Sequence, residues 1–251
     1  MNTITLFPVD GIPLIQAGDD LPAILANALE RLAPATGDVL VVAQKIVSKA
    51  ENRYVDLAEV TPSPRAIELA AITQKDPRLL EVILWESREV VRARPGLIIV
   101  EHRHGWVCAN AGVDRSNVAP EGCDIVLRLP ADPDASAARI RAAINERCSV
   151  DIGVIVADSH GRPHRLGTIG VAIGVAGLPA LEDWRGRKDL FGYTLQHTEV
   201  GLADQVASAA TLLLGQAAEA VPAVLVRGAP FGRREGTARE LVRAREMDLF
   251  R

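Results

Sequence analysis

Lysine, cysteine and aromatic side chains are all scarce in this 251-residue chain, and the shortages narrow what it can be. The three cysteines, Cys108, Cys123 and Cys148, are odd in number and lack metal-ligand spacing. A disulfide scaffold and a zinc cage are excluded, and buried thiols in a reducing cytoplasm are expected. Aromatics make up 4% of the residues, so the core must be filled by small aliphatic side chains. The 28 basic and 32 acidic residues give a net charge of −4, which offers no electrostatic footprint for nucleic acid. No apolar run reaches the roughly 18–20 residues of a membrane span. The opening Met-Asn-Thr-Ile-Thr lacks the basic and apolar regions of a signal peptide. There is no Walker A sequence, and the glycines of Gly167-Thr-Ile-Gly-Val-Ala-Ile-Gly-Val-Ala-Gly177 fall at the wrong spacing for a dinucleotide fingerprint.

What is present is the composition of a soluble globular protein, 48% hydrophobic and 24% charged. The chain is long enough for one large domain, or for two lobes divided near residues 130–150, although no linker marks a boundary. Strands are expected at 3–7, 39–42, 97–100, 106–109, 125–129, 152–157 and 223–227. Helices are expected at 21–32 behind an Asp19 or Asp20 cap, at 77–94 behind Asp76, at 132–147 behind Asp132, at 204–214, and from Arg234 onward. The segments 97–100 and 106–109 read as a hairpin whose turn leaves His102 and His104 facing water. The Gly167–Gly177 run reads as a strand or helix that another backbone approaches closely. Strands and helices alternate irregularly, which points to a mixed α/β fold with α+β character rather than a doubly wound sheet.

Two loops carry the chemistry. Ala109-Asn-Ala-Gly-Val-Asp-Arg-Ser-Asn117 concentrates a carboxylate, an arginine, a hydroxyl and two amides after an apolar run. Asp158-Ser-His-Gly-Arg-Pro-His-Arg165 follows the apolar run 152–157. A divalent cation needs hard oxygens and an anionic ligand needs N–H donors, so the two loops together predict a metal-assisted phosphoryl site. Gln44-Lys-Ile-Val-Ser48-Lys49 follows a buried strand, where a lysine supplies a point charge for a phosphate and Ser48 a donor beside it. The alternative for that segment is a helix start with solvated lysines. His160 and His164 share a loop with Asp158 and are candidate substrate or nucleotide contacts. Gln216 and Glu219 are placed either to reach a metal or nucleotide, or to polarise a helix end.

With these segments assembled, the chain resembles the coenzyme F420-0:L-glutamate ligase (F420 gamma-glutamyl ligase) family over nearly its full length. The matching segments are Phe7-Pro-Val-Asp-Gly-Ile-Pro13, Gly37-Asp-Val-Leu-Val-Val-Ala-Gln-Lys-Ile-Val-Ser-Lys49, Asn110-Ala-Gly-Val-Asp-Arg-Ser-Asn117, Asp158-Ser-His-Gly-Arg162, Asp189-Leu-Phe-Gly192 and Val221-Pro-Ala-Val-Leu-Val-Arg-Gly228. The resemblance implies an uncommon mixed-sheet fold, neither P-loop nor Rossmann. It also implies a single domain without the nitroreductase-like domain appended in some members, and a homodimer in the cytoplasm. The implied reaction is GTP-dependent addition of L-glutamate to coenzyme F420-0, with two divalent ions (Mg²⁺ or Mn²⁺) and K⁺.

Carried over by position, Asp114 and Asp158 correspond to metal ligands, and Ser159 stands at a hydroxyl position beside them. Gln216 falls where some members place a glutamate ligand. Asp10, Gly11, Ile12, Pro13, Ala43, Gln44, Ser48, Lys49 and Asn117 match nucleotide-binding positions, and Gln216 borders them. Lys49 and Arg115 are expected to add positive charge beside Asp114 and Asp158 in catalysis. His160, Arg162 and His164 are the expected substrate contacts. Two other readings remain: an acyl-phosphate-forming amide ligase for a different carboxylate, and a non-catalytic nucleotide-binding subunit.

Overall fold

The computed structural model describes residues 3–232 and 234–249. Its strands are β1 (Thr5–Pro8), β2 (Val39–Ala43), β3 (Tyr54–Asp56), β4 (Ser87–Arg94), β5 (Leu97–His102), β6 (Val107–Ala109), β7 (Ile125–Leu127), β8 (Gly153–Arg162), β9 (Arg165–Ala176), β10 (Glu182–Asp183), β11 (Glu199–Val200) and β12 (Ala223–Arg227). The α-helices are α1 (Leu21–Glu30), α2 (Gln44–Ala50), α3 (Pro64–Thr73), α4 (Pro77–Trp85), α5 (Pro133–Cys148) and α6 (Leu202–Leu214).

A five-stranded sheet in the order β1-β12-β2-β8-β9 forms the frame. Only β2 and β8 pair in parallel; the other neighbours are antiparallel. This mixed order is neither a Rossmann nor a P-loop arrangement. The central strands β2 and β12 read as continuous apolar runs because both sheet faces are covered. Leu40, Val42, Val154, Val156 and Leu225 face α1 and α5, whereas Val39, Val41, Ile155, Val224 and Val226 face α6. Fully buried Leu25, Leu29, Ile140 and Ile144 anchor α1 and α5 to the first face. Each contributes about 1.5–3 kcal/mol by leaving water. Asp20 and Asp132 cap these helices by accepting from Ala23 N (3.2 Å) and Ala135 N (3.0 Å).

The glycine-rich run is strand β9, and the close approach expected there is real. Gly170 lies against α6, where a Cβ would stand 2.6 Å from Ala207 O, and Gly174 lies against Pro133 at the start of α5.

A second core is made wholly by residues between Val55 and Val126, where α3, α4 and the antiparallel sheet β4-β5-β6 enclose Leu69, Leu80, Ile83 and Ile98. Glu86, at the end of α4 and 1% exposed, joins this part to its surroundings. Arg53 and Arg128 each reach its Oε1 at 3.1 Å, and Arg103 Nε stands 3.1 Å from Oε2.

Several expectations need correction. The Asp76 cap is present, its carboxylate accepting from Arg78 N at 2.8 Å, but the helix ends at Trp85 and residues 87–94 form a strand. The apolar spacing imitated a helix because β4 is bulged between Ser87 and Glu89 and again between Val90 and Arg92. Past Arg234 there is no α-helix among the described residues, only 3₁₀ turns at Ala238–Leu241 and Arg245–Met247. The segment has no apolar face of helical width to bury. The loop expected at 158–165 is mostly strand, since β8 continues to Arg162 and turns into β9 through Pro163 and His164, the latter at φ 61°. His102 does not face water: it is fully buried, stacked on His104 and Trp106 with ring centroids 5.0 Å from each. Among the thiols Cys108 is buried, but Cys123 is exposed and Cys148 intermediate. No helix among the described residues is long and apolar enough to cross a membrane.

Candidate active site

Two chain segments bring a carboxylate to the end of the parallel β2–β8 pair. Asp158 is reached by β8 as it leaves the core, just after a register shift between Val156 and Ala157. The extra residue at that shift is Ile173 of β9, so β8 keeps its alternation and carries Asp158 on past Val156. Asp114 is held by backbone bonds in both directions with Leu127, each 2.9 Å. Before it the chain takes a tight left-handed path through Asn110 (φ 53°), Ala111 (φ 53°) and Gly112 (φ 66°). Ala111 is strained in that conformation, and at Gly112 (φ 66°) a side chain would be strained and its Cβ, 2.6 Å from Leu129 Cδ1, would have to displace that buried leucine.

Between these segments lies a cleft of about 460 Å³. Ile12, Pro13, Ala43, Gln44, Lys49, Asp114, Asn117, Asp158, Ser159 and Gln216 all line it, and so does Lys45. The Gln44 amide donates to Asp114 Oδ2 at 2.8 Å, and Lys45 Nζ stands 3.3 Å from the same oxygen while donating to Ser116 O at 2.8 Å. Asn117 (φ 56°) donates from its side-chain amide to Ala217 O at 2.7 Å, pinning the 110–117 loop to the segment after α6. Gln216 Nε2 donates to Ser159 Oγ at 3.0 Å. Glu219 accepts from the backbone N–H of Gln216 and of Ala217, so it shapes that turn rather than pointing its charge freely into the cleft.

The electrostatics are those of a site awaiting positive charge. Burial raises the Asp114 carboxyl above the usual range; Lys45 pulls it down and Asp158 pushes it up again. Two carboxylates that repel across one cleft invite a cation between them. Burial, with Lys45 beside it, lowers the Lys49 ammonium, so an anion near both lysines would be welcome. Cys108, beneath the site, is pushed up to about 12 chiefly by burial and is an inert thiol. Among the described residues no three His, Cys, Asp or Glu side chains converge on one metal position. The donors present are two carboxylates with a hydroxyl and an amide beside them. That set suits Mg²⁺ or Mn²⁺, which take one or two protein carboxylates and complete their shells with phosphate oxygens and water.

Other expected residues lie elsewhere. Asp10 and Gly11 are exposed and outside the cleft wall. Ser48 is fully buried behind it, donating to Gln44 Oε1 at 2.9 Å, and so acts through Gln44. Arg115 turns away toward Asp124, 3.9 Å distant, and does not line the cleft. Arg162 donates to Leu166 O at 3.2 Å within the β8–β9 hairpin. His160 bonds Asp158 Oδ2 through Nε2 at 3.0 Å, yet lines a second cavity together with His164. Lys45, part of the 44–49 motif but not among the residues carried over from the resemblance, stands on the cleft wall. Its signal was the rarity of lysine and its place directly after Gln44.

Carboxylates and lysines gather at strand ends in a mixed α/β frame that is neither P-loop nor Rossmann. The model of the F420-0:Gamma-glutamyl ligase family matches residues 11–228. The chain belongs to this family and is a ligase of the class that forms carbon–nitrogen bonds. The coenzyme F420:L-glutamate ligase of Methanothermobacter thermautotrophicus is 46% identical, with 99% of each chain covered. That of Methanopyrus kandleri is 47% identical over the whole of both chains. That of Halobacterium salinarum is 45% identical, covering 98% of this chain and 94% of the other.

Proposed function

We propose that this chain joins L-glutamate to coenzyme F420-0 and then adds glutamate through a γ-linkage, using GTP, as a step in making the mature coenzyme. The observation that carries the reading is the meeting of Asp114 and Asp158, from distant segments, in one cleft with Lys45, Lys49 and Asn117. A carboxylate does not condense with an amine at neutral pH, because oxide is too poor a leaving group. In the first step a carboxylate oxygen of F420-0 attacks the γ-phosphorus of GTP. The bond from that phosphorus to the β–γ bridging oxygen breaks, and GDP departs with the electron pair. In the second step the deprotonated amine of glutamate attacks the carbonyl carbon of the acyl phosphate, and inorganic phosphate leaves.

Lys45 and Lys49 hold the phosphates and offset the charge that moves to GDP. Gln44 and Ser48 orient Asp114, and His160 orients Asp158. Divalent ions held by Asp114 and Asp158, with Ser159 and Gln216 beside them, would neutralise phosphate oxygens. The reading also includes a potassium requirement, a homodimer and a cytoplasmic setting. Incubation with F420-0, L-glutamate, GTP and Mn²⁺, followed by mass analysis, tests it. One or two added glutamates and release of GDP are expected; an unchanged F420-0 with intact GTP refutes the reading.

A further inference from the structure

The second cavity, about 650 Å³, lies on the far side of the Asp158–His160 pair from the first cleft. Asp158 lines the first and His160 the second, and their side chains meet at 3.0 Å with 14% and 11% exposure. Val91, Trp106, Val107, Val171, Ile173 and Leu241 give the second cavity aliphatic walls and one aromatic surface. Its cationic or protonatable groups are Arg92, Arg243, His160 and His164. Of its acids, Asp204 is committed to the backbone, accepting from Ala172 N at 2.8 Å. A concave, mostly apolar space of several hundred Å³ with a few polar groups is the usual form of an organic-ligand site.

We infer that this cavity seats the large carboxylate substrate, with its apolar body against Trp106 and the aliphatic walls and its reacting carboxylate at His160. The inference rests on the proposed function, under which that substrate is F420-0. Three reactants must converge, and the first cleft, with its lysines and paired carboxylates, is matched to the nucleotide phosphates. L-Glutamate is small and wholly charged, with two carboxylates and an ammonium, a poor partner for an aliphatic wall. A larger acid with an apolar body fits both the size and the chemistry. Its carboxylate at His160 would lie beside Asp158, on the boundary between the two cavities, within reach of a γ-phosphate bound by the lysines of the first cleft. His160 is thus the positioning residue on both sides of the junction.

The test is calorimetric titration of the full-length protein with F420-0, with the nucleotide cleft empty and again saturated with GDP, and a parallel titration with GTP. Val107→Trp and Val91→Trp narrow the second cavity from strand positions that are not fully buried, and circular dichroism checks that they fold. Each is expected to weaken F420-0 binding at least tenfold while leaving GTP affinity within twofold. Lys49→Ala should do the reverse. F420-0 binding that both tryptophan variants leave intact overturns the cavity assignment alone. A wild-type protein that binds GTP but no F420-0 in either state overturns the functional reading and the assignment together.

Discussion

Gln44 and Asp114, seventy positions apart in the chain, are joined by a 2.8 Å hydrogen bond from the amide to the carboxylate. Because Ser48 in turn donates to Gln44 Oε1, the amide is held with its N–H toward Asp114 and cannot flip without losing a buried bond. One oxygen of Asp114 is thereby occupied from the α2 side, where Lys45 also stands. The carboxylate is set toward Asp158 by α2 rather than by its own loop.

The first prediction concerns this pair. If the two carboxylates share a divalent cation as proposed, Asp114→Asn and Asp158→Asn should each lower kcat at least about a hundredfold, because losing one charged ligand removes several kcal/mol of transition-state stabilisation. In the double variant the losses should be less than additive, since both act on the same charge. Steady-state rates at saturating Mn²⁺, with circular dichroism to confirm folding, decide it. A near wild-type rate from either variant removes that residue from the site.

Under the proposed function, GTP should serve better than ATP. Comparison of kcat/KM for the two nucleotides is the measurement, and equal values would contradict the reading.

Glu86 is the anionic centre of a largely buried group of cations. Burial is the largest influence on Arg53, lowering its pKa, with Arg128 adding to it and Glu86 opposing. Glu86→Gln takes away the balancing charge while Arg53, Arg103 and Arg128 remain, so the protein should lose about 3–5 kcal/mol of stability. Chemical denaturation would show this as a lower midpoint. A loss under 1 kcal/mol would mean the arginines find solvent or other acids, and Glu86 is dispensable.

His102 makes stability depend on acid. Burial lowers its pKa to about 3, with His104, Arg103, His160 and Arg53 reinforcing the shift. In the unfolded chain the same ring protonates near pH 6.5. Between about pH 6.5 and pH 3 the unfolded state therefore binds a proton that the folded state refuses. Stability is full above pH 6.5 and falls by up to about 1.4 kcal/mol per pH unit as the solution is acidified. Unfolding curves at pH 7, 6, 5 and 4 should show this slope, and His102→Gln should flatten it. An identical slope in both proteins would assign the effect to other groups.

Light scattering at micromolar concentration should give a dimer. Leu166, Leu190 and Phe191 are at least 96% exposed in the isolated chain, an unusual display of apolar surface for a monomer. A monomer under these conditions would contradict the expectation.

Much of the frame could be read from the chain itself. The strands at 39–43 and 223–227 are unbroken apolar runs bounded by turn residues. Asp20, Asp76 and Asp132 announce helix starts with proline just inside. The cleft was legible because its polar residues sit directly after such strands. The failures share a cause, in that local pattern was overridden by pairing at a distance. Two bulges in β4 shifted Val90 and Val91 into helical spacing. The polar sequence after Asp158 looked like a loop because its partner, the small-residue strand β9, satisfies it from across the hairpin. Helix α3, behind the Ser63 cap, went unread because its apolar positions are diluted by exposed Ile67 and Ile72. The burial of His102 depends on Trp106 folding back over it, which no spacing rule signals.

Gly170 and Gly174 touch opposite neighbours, α6 and the start of α5, because the register shift in the β8–β9 pair turns one to each face of the sheet. The consequence is one of tolerances. Elsewhere the aliphatic interior can trade one side chain for another and repack. At these two points there is nothing to trade, and the gap between strand and helix is set by backbone radii alone. The hairpin that bears Asp158 and His160 is thus gauged between two hard stops. Drift in the surrounding core can change how firmly the protein holds together without changing the spacing between its two cavities.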